Sequence, residues 1–258
     1  MKLLEVDTVS KSFGGLRALN EVSIEVERGS ITALIGPNGA GKSTFLNVIS
    51  GMLRPDRGSV IYKGEDLVGQ GPHEVAAKGI SRTFQILKNF QNLTLLENLM
   101  IGRHVNTKAG VVACLFSLPQ SRAENRETER IALEALKLFN LQDYARQPIS
   151  VVPHGIQRLL EITRALISEP ELLLLDEPSS GLNPREVDLL LNSLRSVQDR
   201  GVTILLVEHN MRLAMGLANS MIVLNFGVKI ATGSPKEISE DSKVIEAYLG
   251  SKFRVIKS

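Results

Sequence analysis

A strand-length apolar run, Ile31 to Ile35, passes directly into Gly36-Pro37-Asn38-Gly39-Ala40-Gly41-Lys42-Ser43-Thr44, and a helix-compatible stretch follows from Lys42 to roughly Ser50. Strand, glycine-rich loop and helix in that order satisfy the P-loop pattern, with the flanking context that a bare motif match lacks. The glycines let successive backbone N–H groups turn toward one anion, and the helix amino terminus adds partial positive charge. In that arrangement Lys42 reaches the terminal phosphates and Ser43 places its hydroxyl on magnesium.

A second strand, Leu172 to Leu175, ends in Asp176-Glu177. Taken alone, an acidic pair there could be a solvated strand end. At the carboxyl end of a parallel strand it faces the same crevice as the P-loop, with Asp176 suited to magnesium and Glu177 to polarising water. Strands and helices alternate from Glu171 onward: ELLLLD, a helix from about Pro184 to Arg200, GVTILLVEH, a helix through Met215, then MIVLNFGVKIA with a turn near Asn225 to Gly227. That alternation predicts a parallel sheet.

The rest of the chain differs in character. Period-two alternation in the first thirty residues (Leu4, Val6, then Val22, Ile24, Val26) predicts short antiparallel strands, and Val60 to Tyr62 another after the turn cluster Pro55 to Gly58. From about Gln91 to Pro170 the chain reads as helical; Glu124 to Asn140 is amphipathic, with Ile131, Ala135 and Leu138 on one face and Glu127, Arg130 and Glu134 near the other. No linker or internal repeat divides the chain, so one composite domain with a helical insertion is expected.

Composition narrows the function class mainly by exclusion. With 30 basic and 28 acidic residues the net charge is +2, too small to draw the protein to nucleic acid or an anionic membrane. The longest pure leucine run stops at Asp176, far short of the ~20 apolar residues of a membrane span. Glu5 and Asp7 interrupt any secretory h-region, and the single cysteine, Cys114, allows no internal disulfide. A cytoplasmic protein is expected. His73, His104 and His154 lack metal spacing, so no metal is assigned beyond nucleotide-bound magnesium.

Over essentially its whole length the chain resembles the ATP-binding subunits of ABC transporters, on several motifs in the right order. Phe13 in KSFGG matches the aromatic that stacks on adenine, and Gln85 in RTFQ the glutamine that touches magnesium and leads to the membrane subunits. Ser180-Gly181-Leu182-Asn183 matches the loop communicating between two nucleotide sites, and His209 in VEHN the histidine contacting the γ-phosphate. RTFQ with LLENLM, Asn183-Pro184, VEHNM and the tail Gly233 to Ile238 with Val244 to Gly250 resemble the branched-chain amino-acid uptake type, which carries a carboxyl-terminal extension.

The resemblance implies a P-loop NTPase (RecA-like) α/β fold with a parallel sheet core, an antiparallel β subdomain and a helical subdomain insertion. It implies a nucleotide-binding domain over 3–250, with the helical part at about 91–170 and the extension at about 233–253. Its cofactors would be ATP and Mg2+; its partners a second ATP-binding subunit, a paralogous heterodimer partner, two transmembrane permeases and, indirectly, an extracytoplasmic substrate-binding protein. It would sit peripherally at the cytoplasmic face of the inner membrane, with Glu177 and His209 catalytic, binding no nucleic acid. A soluble ABC-type ATPase, or a nucleotide-binding subunit of weak turnover, is the other reading. The segment Lys88 to about Ser121 would present a groove to a permease, although Phe90, Leu93, Leu95 and Leu96 could equally be internal packing.

One motif departs from the family. Where the signature loop reads LSGGQ or LSYGQ, this chain has Val152-Pro153-His154-Gly155-Ile156, followed by Gln157 and a helix that matches well. In the family this loop caps the γ-phosphate on a partner's P-loop. Pro153 has neither the serine hydroxyl nor an N–H, and one charge-assisted hydrogen bond lost costs about 1.5–3 kcal/mol. Natural asymmetry and an inactivated copy both account for this.

Overall fold

The computed structural model describes residues 1–83, 90–102 and 119–255. Among these residues the strands form two sheets. The antiparallel one is built on a long hairpin, β1 (Lys2–Phe13) and β2 (Leu16–Glu27), turning at Gly14-Gly15. The expectation of short strands is corrected here: each runs 12 residues, and shifts of register, as at β-bulges, let the hairpin coil without breaking. β4 (Arg57–Tyr62) pairs with the other edge of β1, and β5 (Glu65–Asp66) with β4, giving the order β2-β1-β4-β5. Gly58, read from sequence as turn, lies inside β4 because it crosses β1 closely. A Cβ there would lie 2.4 Å from the Asp7 carbonyl oxygen.

The second sheet contains β3 (Ile31–Ile35), β6 (Ile80–Arg82), β7 (Leu172–Asp176), β8 (Thr203–Val207), β9 (Ser220–Asn225) and β10 (Val228–Gly233) in the order β10-β9-β3-β8-β7-β6. Its neighbours are parallel except β10, which returns from β9 as a hairpin. β3, β7 and β8 read as unbroken apolar runs because both faces are covered. Leu172 and Leu174 pack with the antiparallel sheet and with α1 (Lys42–Ile49), whereas Leu173 and Leu175 pack into the helical layer on the other side.

That helical layer comprises α3 (Leu95–Gly102), α4 (Pro119–Leu138), α5 (His154–Leu166), α6 (Pro184–Asp199) and α7 (Met211–Leu217); the short α2 (Pro72–Ala77) lies on the opposite side, against β6. α4 starts at a proline, a residue suited to the first helical turn, earlier than the charged pattern from Glu124 suggested. Its stripe is also rotated by one residue from the expected one. Ala132, Leu136 and Phe139 are fully buried, and Ile131 and Leu138 pack beside them. On the far face Arg130 pairs with Glu127 and Glu134, both at 2.6 Å. The chain closes with α8 (Pro235–Glu240) and α9 (Ser242–Val255), whose Ile238 and Val244 cover Ala33, Ile35, Met221 and Val223. Among the described residues no helix is long and apolar enough to cross a membrane.

Candidate functional site

β3, β8 and β7 are adjacent and parallel, so the segments leaving their carboxyl ends emerge into one crevice. The P-loop follows β3, Asp176-Glu177 ends β7, and Glu208-His209 follows β8. Backbone bonds lock the three ends together: Glu177 N donates to Val207 O at 2.9 Å and Glu208 N to Leu34 O at 3.3 Å.

Two P-loop glycines are required by space as well as by conformation. At Gly36 (φ +153) a Cβ would fall 2.1 Å from the Leu224 carbonyl oxygen, and at Gly41 (φ +101) 2.5 Å from that of Ala18 on β2. The hairpin therefore abuts the loop, and its turn carries Phe13, 49% exposed, with Lys11 Nζ 5.9 Å from the ring centroid. Lys42 is buried; its Nζ donates to the carbonyls of Gly36 (2.7 Å) and Pro37 (3.0 Å). Burial lowers its pKa, while the carboxylates of Glu177 and Asp176 oppose that shift. Ser43 is exposed at the first turn of α1, and Thr44 beside it is half-buried.

Asp176 is almost fully enclosed. Its Oδ2 accepts from Arg82 Nη2 at 3.1 Å, and its Oδ1 is buried with no hydrogen-bond partner among the described residues. A buried carboxylate oxygen left bare is costly, so Asp176, with the Ser43 hydroxyl on α1, fits a divalent cation. Gln85, the third residue expected at magnesium, lies outside the described residues.

Glu177 has φ +47, a left-handed conformation costing a non-glycine residue about 1–2 kcal/mol. It persists because both of its backbone groups are held: the N–H by Val207, the carbonyl by Arg158 Nη2 at 2.8 Å. Its Oε2 lies 3.7 Å from His209 Nδ1, and His209 is mostly open to solvent. An acidic group and an imidazole thus face each other across the strand ends.

Three charged residues of this region carry no role in the sequence reading, although Arg82 lies in RTFQ, Glu208 in VEHN and Arg158 directly after Gln157. Arg158 on α5, 2% exposed, donates to the carbonyls of Asp176 (2.9 Å) and Glu177 (2.8 Å) and to Glu161 Oε2 (3.1 Å). Glu208, 0% exposed, accepts from the backbone N–H groups of Ser179 (2.9 Å), His209 and Asn210 (both 3.0 Å). Arg82 holds Asp176 as described. For Glu208 the signal was a charged residue directly after the apolar run Thr203–Val207; Arg158 and Arg82 carry no such signal, since their burial is set by elements distant in the chain.

The loop Ser180 to Asn183 is largely exposed, and Asn183 caps α6, its Oδ1 accepting from Arg185 N (3.0 Å) and Glu186 N (3.1 Å). Pro153 stands at the N-cap of α5 with no side-chain cap bond; its carbonyl accepts from Gln157 N at 3.1 Å. Pro153 and His154 are exposed and Ile156 half-buried, while Gly155 is pressed against α6, where a Cβ would lie 2.2 Å from Glu186 Oε1. The His154 ring lies over Gly181 of the neighbouring loop.

Lys88 and 103–118 fall outside the described residues. Of the apolar residues expected in that segment, Leu95 is fully buried and Leu96 packs against the helical core, whereas Phe90 is 50% exposed. Asn98, wholly buried, fastens the Phe90 loop: its Oδ1 accepts from Phe90 N at 2.9 Å and its Nδ2 donates to the carbonyls of Phe90 (3.1 Å) and Thr94 (2.9 Å).

Comparison with known proteins agrees with this geometry. A profile of the family described as ABC transporter matches residues 19–180, and one described as branched-chain amino acid ATP-binding cassette transporter matches residues 228–254. The chain is 39% identical to the high-affinity branched-chain amino acid transport ATP-binding proteins BraF of Pseudomonas aeruginosa and LivG of Escherichia coli, over 96% of its length and 98% of theirs. Among solved structures it resembles the ADP conformation of MJ1267, an ATP-binding cassette of an ABC transporter. The TM-score is 0.84 and the identity 33%, covering 97% of this chain and 99% of that one. A nucleotide-free cassette from an ABC transporter matches at TM-score 0.83 and 32% identity, over 96% and 99% of the two chains. With a P-loop, an acidic strand end and a histidine converging on one crevice, and relatives of this likeness over nearly the whole chain, the protein belongs to the ABC transporter family of ATP-binding cassettes.

Proposed function

We propose that this chain binds and hydrolyses ATP to energise uptake of branched-chain or related amino acids through two membrane permeases, from the cytoplasmic face of the membrane. The observation that carries the proposal is the meeting of the P-loop, Asp176-Glu177 and His209 at three neighbouring parallel strand ends. The nucleotide-binding unit is taken as 3–250, with its helical part at about 91–170 and the family's carboxyl-terminal extension at about 233–253.

In this reading the backbone N–H groups from Gly36 to Thr44 and the Lys42 ammonium hold the phosphates, and Phe13 stacks on adenine. Glu177 orients a water molecule and draws its proton as the water oxygen bonds to the γ-phosphorus and the bond to the ADP oxygen breaks. His209, poised beside Glu177, contacts the γ-phosphate. Magnesium, when bound with the nucleotide, would be held by Ser43, Asp176 and Gln85 and would neutralise phosphate charge. Ser180 to Asn183 would face the second site of a dimer.

Pro153 supports an unequal dimer. A chain whose own P-loop, Glu177 and His209 are complete, but whose loop 153–157 offers no hydroxyl to a neighbour, works best against a different, paralogous subunit with an intact loop. Substrate would reach the permeases on an extracytoplasmic binding protein. The test is Glu177→Gln, which keeps the side chain's size and removes its basicity. Turnover of the reconstituted transporter should fall at least 100-fold while ATP affinity of this chain stays within about threefold; turnover within threefold of wild type refutes the role of Glu177.

A further inference from the structure

Arg82 is an arginine in the interior with a job that neither packing nor surface chemistry explains. It sits on β6, a strand of 3 residues that adds to the edge of β7, opposite Leu174, and its side chain is 8% exposed. Its guanidinium spans two other elements. Nη1 donates to Asn47 Oδ1 (2.7 Å) on α1 and to Ser50 Oγ (2.8 Å) at its C-cap, and Nη2 donates to Asp176 Oδ2 (3.1 Å) at the end of β7. α1 is the helix whose first turn carries Ser43. One rigid planar group therefore ties together the two elements that bear the groups fitted to a divalent cation.

The consequence for Asp176 is an asymmetry between its oxygens. Oδ2 is engaged by Arg82, and Oδ1 is buried and bare among the described residues. A carboxylate pinned by one oxygen cannot turn away, so the other oxygen keeps a fixed direction. Arg82 also brings positive charge close to the place where a cation would bind, which by Coulomb's law alone weakens that binding. Orientation and charge thus act in opposite directions, and variants can separate them.

We propose that Arg82 is a positioning residue for the divalent cation: it holds Asp176 by Oδ2 so that Oδ1 faces the cation, and braces β7 against the helix carrying Ser43. This rests on the reading of Asp176 as a cation-binding group. A lysine cannot replace the arginine, since a point charge on a flexible stem does not bridge Asn47, Ser50 and Asp176 in one plane.

The experiment is titration of the full-length chain with Mn2+, read by electron paramagnetic resonance in the presence of a non-hydrolysable ATP analogue. Affinity for the analogue in excess chelator serves as control for an intact P-loop. Arg82→Lys and Arg82→Gln should each weaken Mn2+ binding by about tenfold or more, with chelator-phase affinity for the analogue within twofold. Because a buried arginine can be needed for folding, the double variant Asn47→Ala/Ser50→Ala removes only the α1 side of the brace; it should weaken Mn2+ binding at least threefold. If Arg82→Lys or the double variant binds Mn2+ within twofold of wild type, or Arg82→Gln binds it more tightly, positioning is overturned and charge alone acts. Asp176→Asn separates the two levels: if it weakens Mn2+ binding while the Arg82 variants do not, only the role of Arg82 fails. If Asp176→Asn leaves Mn2+ binding unchanged, the reading of Asp176 fails and the role of Arg82 with it.

Discussion

Replacing Glu208 by glutamine tests whether one buried carboxylate holds two loops of the site at once. Its Oε1 serves the Ser179 N–H at 2.9 Å, and its Oε2 serves His209 and Asn210, each at 3.0 Å. Glutamine has one carbonyl oxygen for these two places. The amide settles with its oxygen toward the two donors and its NH2 toward the one, because that keeps more bonds. Ser179 N–H then meets a donor, one charge-assisted bond worth about 1.5–3 kcal/mol is lost, and the remaining two fall to neutral strength. The side chain is wholly enclosed, so water cannot take over the freed donor. Part of this is returned because a neutral amide costs less to bury than a carboxylate. The expected net destabilisation is about 2–3 kcal/mol.

Urea unfolding reads that total, and amide hydrogen exchange reads its distribution. Exchange should accelerate at Ser179 and stay slow at His209 and Asn210, since only the Ser179 bond is sacrificed. Turnover should fall as well, because Ser179 leads into the exposed loop Ser180 to Asn183 while His209 remains fixed. A stability loss under 0.5 kcal/mol, or an undiminished protection of the Ser179 amide, would refute the reasoning, since either means the carboxylate does not carry that loop.

Two further outcomes follow from other parts of the structure. Pro153→Ser supplies a side-chain cap to α5, worth about 0.5–2 kcal/mol, and removes a chain-stiffening proline, worth about 0.4–1 kcal/mol, so its own stability should scarcely change. Single-site nucleotide trapping in a reconstituted heterodimer should nevertheless rise severalfold at the site this loop caps; equal trapping in both sites of the wild type rejects the asymmetry. Glu171 is shared by Lys63 and by Arg28, the latter at 2.8 Å. The Lys63 hydrogen bond holds its pKa below the ordinary 4.5, burial opposes, and Arg28 adds to the depression. A depressed folded pKa gives stability present above the unfolded value and lost as pH falls through the folded one. Glu171→Gln should therefore cost about 0.5–1 kcal/mol at pH 7, and the cost should vanish once Glu171 is protonated in both the folded and unfolded states, below its depressed folded pKa; a difference in urea midpoint that does not shrink as pH falls below 4.5 contradicts this.

Legibility in the sequence follows how local the determining physics is. β3, β7 and β8 were readable because a run of apolar residues between polar ends is set by burial on both faces, and Ile31–Ile35 agrees to the residue. The P-loop helix was readable because its glycines and lysine are a local pattern. α4 was readable as a helix but not in phase: Ile131, Ala135 and Leu138 sit one residue off the buried stripe, and only the positions of α3 and α5 decide which edge turns inward. β6 was not readable, since a strand of 3 residues has no period to detect. With it went Arg82, whose partners lie about thirty and ninety residues away in the chain.

Buried charge gathers at the strand ends for a physical reason that no motif states. Each loop leaving a parallel strand carries backbone N–H and C=O groups that the sheet no longer pairs, and beneath a covered site water cannot pair them. Long charged side chains reach them instead, each matched to one kind of need. Glu208 accepts from three N–H groups and Arg158 donates to two carbonyls. Apolar residues could fill the same volume but would leave those groups orphaned. The arrangement also restrains the left-handed backbone of Glu177, whose N–H and carbonyl are both held. The strain sits at the residue assigned to the water, and the two groups that restrain it come from β8 and from the helix behind Pro153. A movement of α5 would therefore reach the Glu177 carbonyl through Arg158, so in the proposed dimer a partner pressing on loop 153–157 would also bear on the carboxylate of this chain's own site.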